Sequence, residues 1–389
     1  MLLAVAALPP LGAASYLGLL ALVARRSPTP PAPASRPHFD VVVPAHDEEA
    51  VVADTVRSLL ALDWPRERFR VFVVADNCTD RTAEVAAAAG AEVLARVDAE
   101  RRGKGYALAY AFERVLRDAR ADAAVVVDAD TLVSPNLLAA FASRLAVGEQ
   151  ALQAEYGVSN AEATWRTRLM RLAFALFHDV RSLARERLGL SCGLRGNGMC
   201  FTPEVLRRVP HEAFSIVEDL EYGLRLGRAG YRVAYVDEAR VRGQMAAGEQ
   251  ASRSQRRRWE GGRLRIAREQ APDLLARALR ERSALLFDLA LDVLVPPLTY
   301  VAVSIALGLA ACAAAWALHA PLAIAPWLWG ASALALLLYV GRGLTLSGLG
   351  LRGLLDLAWA PVYIVWKLLL MLAPRSRATG EWVRTSREG

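Results

Sequence analysis

Apolar residues follow two distinct rhythms along this chain. Residues 2–24 are uncharged and nearly all apolar, broken only by Pro9-Pro10, and Arg25-Arg26 follow at once. That length crosses a bilayer, and the basic pair behind it predicts a cytoplasmic location for the next segment. A cleaved leader would carry Lys or Arg near its start, where this chain has none. Residues 27–37, rich in Pro, Ala and Ser, read as an extended linker. From Phe39 the rhythm changes. Short β-branched runs (FDVVVPA, RVFVVAD, the stretch around AEVLA, and AVVVDADT at 124–131) alternate with amphipathic stretches over 48–62, 79–89 and 105–117. This alternation predicts parallel βαβ units with right-handed crossovers, and a ligand edge lined by the residues that follow each strand.

Further along, 160–187 shows helical spacing of Trp165, Leu169, Leu172 and Leu176, which suits a helix under the sheet or one near a membrane surface. Beyond Ser283 long apolar stretches return. Residues 284–297 hold Asp288, Asp292 and Pro296-Pro297 and read as an amphipathic lead-in lying on the membrane; 298–318 reads as a span and 323–340 as its return. Gly341-Arg342 and Arg352 then mark the cytoplasmic side. Residues 354–372 contain Asp356, Pro361 and Lys367, so an interfacial helix is expected there, before a basic tail over 375–387. The expected organisation is therefore a transmembrane helix (1–26), a linker (27–38), an α/β domain (39–250), a basic helix with interfacial helices (251–297), two transmembrane helices (298–340), and an interfacial helix with a basic tail (341–389).

Composition sharpens one point. Hydrophobic residues make up 54% of the 389, and mean hydropathy is +0.24, too apolar for an ordinary soluble enzyme. With apolar spans present, the formal charge of +7 points to an anionic membrane face rather than to nucleic acid. The four cysteines show neither disulfide nor zinc-ligand spacing.

The candidate chemistry gathers at the strand exits. Asp128 and Asp130, two apart at the end of a strand, are expected on one side of the chain, where paired oxygens suit a hard divalent cation bridging phosphates. The same aspartates also suit a plain strand-to-turn exit. PAHDEE (44–49) and DNCTD (76–80) bring further polar groups to that edge, each readable also as a helix cap. Arg101-Arg102-Gly103-Lys104-Gly105 is a basic loop at a helix start, suited to phosphate or simply solvated. The three glycines of GLRGNGMCF (193–201) let backbone approach a ligand or make a turn. Glu218-Asp219 opens a helix as dipole cap or as base. Gln255, Arg258 and Trp259 share one helical face, offering a guanidinium fork and an aromatic platform, or else binding anionic headgroups.

In this order, VVVPAHDEE, VVADNCTD, VVDAD, IVEDLE and QRRRW resemble the motifs of the membrane-bound family 2 glycosyltransferases, the group that includes cellulose and hyaluronan synthases and ceramide glucosyltransferases. The resemblance covers Phe39 to about Gly262. It implies a GT-A (Rossmann-like) domain, cytoplasmic, between N-terminal and C-terminal transmembrane helices, using a nucleotide-sugar (UDP-sugar) donor with Mg or Mn. Pro44, Ala45, His46, Glu48 and Asp76 would hold base and ribose with Lys104 nearby; Asp128 would face ribose or metal, and Asp130 the metal. Asp219 would be the general base of a single inverting displacement, Gln255 and Arg258 would hold the diphosphate, and Trp259 would lie beneath the acceptor. No histidine follows the Glu-Asp motif to add a metal ligand, as some relatives have. Three spans are few to enclose a polysaccharide conduit, so the expected acceptor is a lipid-linked or membrane-held one in a bacterial inner membrane. A processive polysaccharide synthase working as an oligomer or with a partner is the alternative, and a non-catalytic scaffold a second. A sugar-nucleotide pyrophosphorylase would need a glycine-rich basic loop where PAHDEE stands.

Overall fold

A computed structural model of the chain describes residues 1–162, 164–244 and 249–365, with the backbone alone over 249–258. Eight strands form one mixed sheet: β1 (Phe39–Ala45), β2 (Phe69–Asp76), β3 (Glu92–Arg96), β4 (Ala123–Val126), β5 (Thr131–Val133), β6 (Ala151–Val158), β7 (Met199–Phe201) and β8 (Ala234–Gly243). Their order is β3-β2-β1-β4-β7-β6-β8-β5. Strands β3, β2, β1 and β4 run parallel, as the alternating pattern predicts, and β7 reverses against both β4 and β6. The helices that position the site are α1 (Leu2–Val23), α2 (Lys104–Asp118), α3 (165–187), α4 (Glu218–Arg228), α5 (Glu249–Glu281), α6 (Ala284–Leu294), α7 (Leu298–Ala317) and α8 (Ala325–Ser347).

Parallel strands are buried on both faces, and here successive residues feed two separate cores. Val41, Val43, Val71, Val73 and Val125 pack on one side. Val42, Val74, Ala124 and Val126 pack on the other, in a core that also contains Leu17 and Leu20 of α1 and Leu172 and Leu176 of α3. The sheet and the first apolar helix thus share a core. Three described helices, α1, α7 and α8, are long and apolar enough to cross a membrane. Small residues let α7 and α8 approach closely: a Cβ at Gly308 would stand 2.3 Å from the Trp329 ring.

Several boundaries differ from the sequence expectation. The strand expected over 124–131 ends at Val126, so Asp128 and Asp130 lie in a turn, closed by Thr131 N–H donating to the Asp128 carbonyl at 3.2 Å, before β5 begins. Strand alternation therefore does not place them. The helix expected over 48–62 starts only at Val52, because Glu48 and Glu49 give their N–H groups to Thr82 Oγ1 and Asp80 Oδ2 across the β1–β2 exits. Helix α3 starts at Trp165 behind a Thr164 capping box and contains a π-helical turn over Ala175–Val180. Helix α8 runs on through Gly341 and Arg342 to Ser347, with Arg342 Nε donating to the Ala24 carbonyl at 3.1 Å. Of the expected 354–372 helix, residues beyond 365 lie outside the described ones, as does the basic tail.

Domain and membrane helices are joined by a buried ionic hub. Arg185 Nε lies 2.8 Å from Asp288 Oδ2, its Nη2 2.8 Å from Asp292 Oδ1, and Nη2 also donates to Tyr16 Oη at 2.6 Å. Tyr16, on α1, donates in turn to Asp288 Oδ1 at 2.8 Å. Arg181 Nη1 reaches Asp292 Oδ1 at 2.8 Å, and its Nε donates to Tyr339 Oη of α8 at 3.0 Å. Removing one partner of such a network strands the others without water. Arg185→Ala is therefore expected to destabilise the fold by about 3–5 kcal/mol, read as a lower unfolding temperature in detergent; an unchanged transition would show that the hub carries little of the docking.

Candidate active site

The exits of β1 and β2 lie side by side, Ala45 in register with Ala75, which brings the two polar loops together. His46 Nδ1 is 2.7 Å from the Asp76 carbonyl. Asp76 is wholly buried, and its Oδ1 accepts from Arg96 Nη1 at 2.5 Å and from Asn77 Nδ2 at 3.1 Å. Its Oδ2 is buried without a hydrogen bond among the described residues. Arg96 stands in register with Asp76 on the neighbouring strand, a pairing that only the sheet order reveals. Asp47, Cys78 and Asp80 present their ligating atoms within 4.8 Å of one another. The two carboxylates there already accept from Thr79, Thr82 and Glu49, so this group ties the loops together.

One step along the sheet, at the end of β4, lies the acidic centre. The Asp128–Asp130 turn is held from three sides: Asp128 N–H donates to Asn197 Oδ1 at 3.1 Å, Asn197 Nδ2 to Thr131 Oγ1 at 2.7 Å, and Thr55 Oγ1 to the Ala129 carbonyl at 2.7 Å. Asn197 belongs to the glycine-rich loop, which buried Gln153 fixes by donating to the Asn197 carbonyl at 2.7 Å and accepting from Arg195 N–H at 2.8 Å. Gly196 has φ +80°, and a Cβ there would stand 3.4 Å from Asp219 Oδ2 and 3.5 Å from Lys104 Nζ. The glycine lets the loop backbone come up against both groups.

Lys104 is the hub of this centre. Its ammonium donates to Asp128 Oδ1 at 2.5 Å and to the Gly196 carbonyl at 2.7 Å, and lies 3.6 Å from Glu218 Oε1. It therefore sits among the carboxylates of the acidic centre. Burial works against its charge, but Asp128 and Glu218 outweigh burial and raise its pKa. Helix α2 carries Lys104 at its first residue, and Gly105 packs so tightly that a Cβ would come 2.1 Å from the Ala213 carbonyl oxygen.

Glu218 and Asp219 open α4, at the positive end of its dipole. Burial pushes Glu218 up to about 7, helped by the neighbouring Asp219 charge and opposed by Lys104. Asp219 is raised too, by burial first, while the Leu220 N–H, Lys104 and Arg195 pull it back. Both members of the pair were visible in the sequence, but the involvement of Glu218 becomes clear only when Lys104 is seen against it.

Asp128, Asp130, Lys104, Glu218 and Asp219 all line one cavity of about 680 Å³. Pro44 reaches its edge, while Ala45, His46, Glu48 and Asp76 do not line it. An aromatic wall follows the acidic end: Tyr156 and Phe174 at 5.3 Å, Phe174 and His178 at 4.6 Å, Phe174 and Trp259 at 6.5 Å between ring centroids. Burial, then the charges of Asp128 and Asp130, raise the Tyr156 phenol, keeping it a donor. Burial, with Arg195 and Arg181 beside it, holds His178 well below its usual range and therefore neutral. Trp259 lines the cavity, whereas the side chains of Gln255 and Arg258 lie outside the described residues. The far end of the cavity is apolar, walled by Val295 at the end of α6, by Leu298 and Ala302 at the start of α7 and by Leu336 and Val340 of α8.

Residues 37–262 match the family model described as glycosyltransferase like family 2. A probable glycosyltransferase of Bacillus subtilis, YdaM, is 23% identical over 265 residues, covering 65% of this chain and 61% of the relative. The beta-monoglucosyldiacylglycerol synthase of Synechocystis is 29% identical over 233 residues, 58% of this chain and 48% of the relative. The matches thus span about half to three-fifths of these relatives' own length. Among solved structures, a mannosyltransferase from Pyrobaculum calidifontis, in complex with GDP-Man and Mn2+, superposes with a TM-score of 0.57 at 22% identity, covering 94% of this chain and 99% of that one. That likeness extends over the sheet and the apolar helices alike, and the sheet is of the GT-A kind. A match over more than half of the chain, on the region that builds the acidic edge, makes this protein a member of the family 2 glycosyltransferases.

Proposed function

We propose that this chain is an inverting, metal-dependent glycosyltransferase that moves a sugar from a nucleotide-sugar, a UDP-sugar by the motif pattern, to an acceptor held in the membrane. The observation that carries this reading is the single cavity joining the carboxylates at the sheet edge to the apolar helices α7 and α8. A lipid whose tails lie along those helices can present a headgroup hydroxyl at Asp219 without leaving the bilayer. The diacylglycerol acceptor in the printed name of the Synechocystis relative is in keeping with such a layout. The domain divisions expected from the sequence, with the catalytic domain on the cytoplasmic side of a bacterial membrane, complete the reading.

In this reading Asp219 takes the proton of the acceptor hydroxyl as that oxygen attacks the anomeric carbon. Glu218, raised by burial to about 7, stands beside it, and Lys104 holds Asp128 in place. The buried Asp76 Oδ2, without a hydrogen bond among the described residues, would accept an N–H of the nucleobase, with Pro44, Ala45, His46 and Glu48 around base and ribose. Gln255 and Arg258 take the diphosphate and Trp259 the acceptor, as their motif implies. The residues at the turn fit a divalent cation: Asp128 and Asp130 offer hard oxygen donors on the cavity wall, and Asp128 already holds a cationic group, the Lys104 ammonium. When bound, Mg or Mn would neutralise charge on the departing diphosphate.

Three measurements test this. Asp219→Asn should lower turnover by about 10²–10⁴-fold and leave donor affinity unchanged; near-normal activity would remove Asp219 from the role of base. Asp130→Ala should abolish the metal-dependent part of donor binding in calorimetry with Mn or Mg, and an unchanged affinity would rule out its metal role. Because burial raises Asp219 above the usual carboxylate range, the base form is lost as pH falls through that raised value. The acid limb of kcat/KM is expected above the ~4 of ordinary carboxylates, and a limb at or below that value would contradict the assignment.

A further inference from the structure

Between the acidic centre and the apolar end, the cavity passes a cluster of arginines for which, among the described residues, Asp292 is the one carboxylate at ion-pair distance. Arg181, Arg195 and Arg263 all line the cavity. Their guanidinium carbons stand 4.7, 4.6 and 5.0 Å from the centroid of one ring, Phe177. Asp292 serves Arg181 at 2.8 Å and Arg263 at 3.5 Å, but it also serves Arg185. Arg195 has no carboxylate at ion-pair distance among the described residues. It donates to the Cys192 carbonyl at 2.8 Å and to Ser182 Oγ at 3.4 Å. Its Nε is buried and makes no hydrogen bond among the described residues, and the residue is only 8% exposed. Glu260 also lines the cavity, and Asp219 feels Arg195 from the acidic side. Burial, and the crowding of Arg181, Arg195 and Arg185, push Arg263 down to about 10 against the pull of Asp292.

Buried guanidiniums held against one another without matching anions are costly unless a ligand supplies the missing charge. A guanidinium fork is shaped for paired oxygens of a carboxylate or phosphate. The cluster's position narrows the choice. Arg195 borders Gly196 and, through it, Asp219, while Arg181 reaches Tyr339 on α8. A phosphate seated here would lie between the reacting hydroxyl and the lipid tails, where a headgroup is linked to its lipid.

We infer that the membrane-held acceptor is itself anionic, a lipid bearing a phosphate that binds among Arg195, Arg181 and Arg263. This rests on the lipid-acceptor reading above and narrows it from lipids in general to phosphate-bearing ones.

The test compares two probes with the same tail, geranylgeranyl monophosphate and geranylgeraniol, binding to the full-length protein in phosphatidylcholine nanodiscs, with UDP affinity measured in parallel. The phosphate should tighten binding by ~10–100-fold, the range of one or two charge-assisted contacts. Arg195→Gln should remove most of that advantage, Arg195→Lys should recover part, and neither should change UDP affinity. Arg263→Gln gives an independent check should Arg195→Gln fold poorly. Equal binding of alcohol and phosphate would overturn the anion site while leaving a lipid acceptor standing. Binding of neither probe would overturn both readings. Loss of UDP affinity in Arg195→Gln would assign the cluster to the donor's diphosphate instead and would also overturn the inference.

Discussion

The structure depends on how Arg185 is satisfied. A guanidinium this deeply buried is tolerable only if its neighbours are held in place, and they come from α1 through Tyr16 and from α6 through Asp288 and Asp292. Helix α3 carries Arg185 beneath the sheet, so the same side chain fixes the catalytic domain against the first apolar helix and the membrane lead-in. Hydrophobic contact alone would allow sliding, since apolar surface is non-directional. Charge-assisted bonds at fixed angles do not. With the domain seated this way, the cavity of the acidic centre opens onto α7 and α8.

That seating divides the cavity electrostatically. One end collects carboxylates around a single ammonium, the middle collects guanidiniums around an aromatic ring, and the far end is uncharged. The two excesses lie close enough for the Arg195 charge to act on Asp219.

How much of this was legible in the sequence varies with the range of the interaction. The parallel half of the sheet, the three apolar helices and the two acidic motifs follow from local patterns, and local patterns were sufficient for them. Asp128 and Asp130 do reach the cavity, but by way of a turn held by Asn197 and Thr55, not by strand alternation, since β4 stops early once β7 reverses beside it. The Asp76–Arg96 pair needs the register of β2 with β3. Arg185 meets Asp288 and Asp292 across a hundred residues of chain, and no local pattern predicts which arginine of a basic helix will turn inward. Arg195 looked like an ordinary polar residue in a glycine-rich loop. Its meaning depends on its standing away from any carboxylate among the described residues, which only a packed structure can reveal.

The π-helical turn at Ala175–Val180 acts as a phase shifter. One extra residue in a helix of 3.6 residues per turn rotates everything beyond it by about 100°. Upstream, Leu172 joins the core under the sheet and Arg171 Nε donates to the Ser347 carbonyl of α8. Downstream, Arg181 and Arg185 reach Asp292 of α6, while Phe177 and His178, inside the turn itself, line the cavity. A single helix thereby serves the sheet, the apolar helices and the cavity. One residue more or fewer in this segment would rotate Arg181 and Arg185 by about 100° relative to the residues before the turn, away from Asp292.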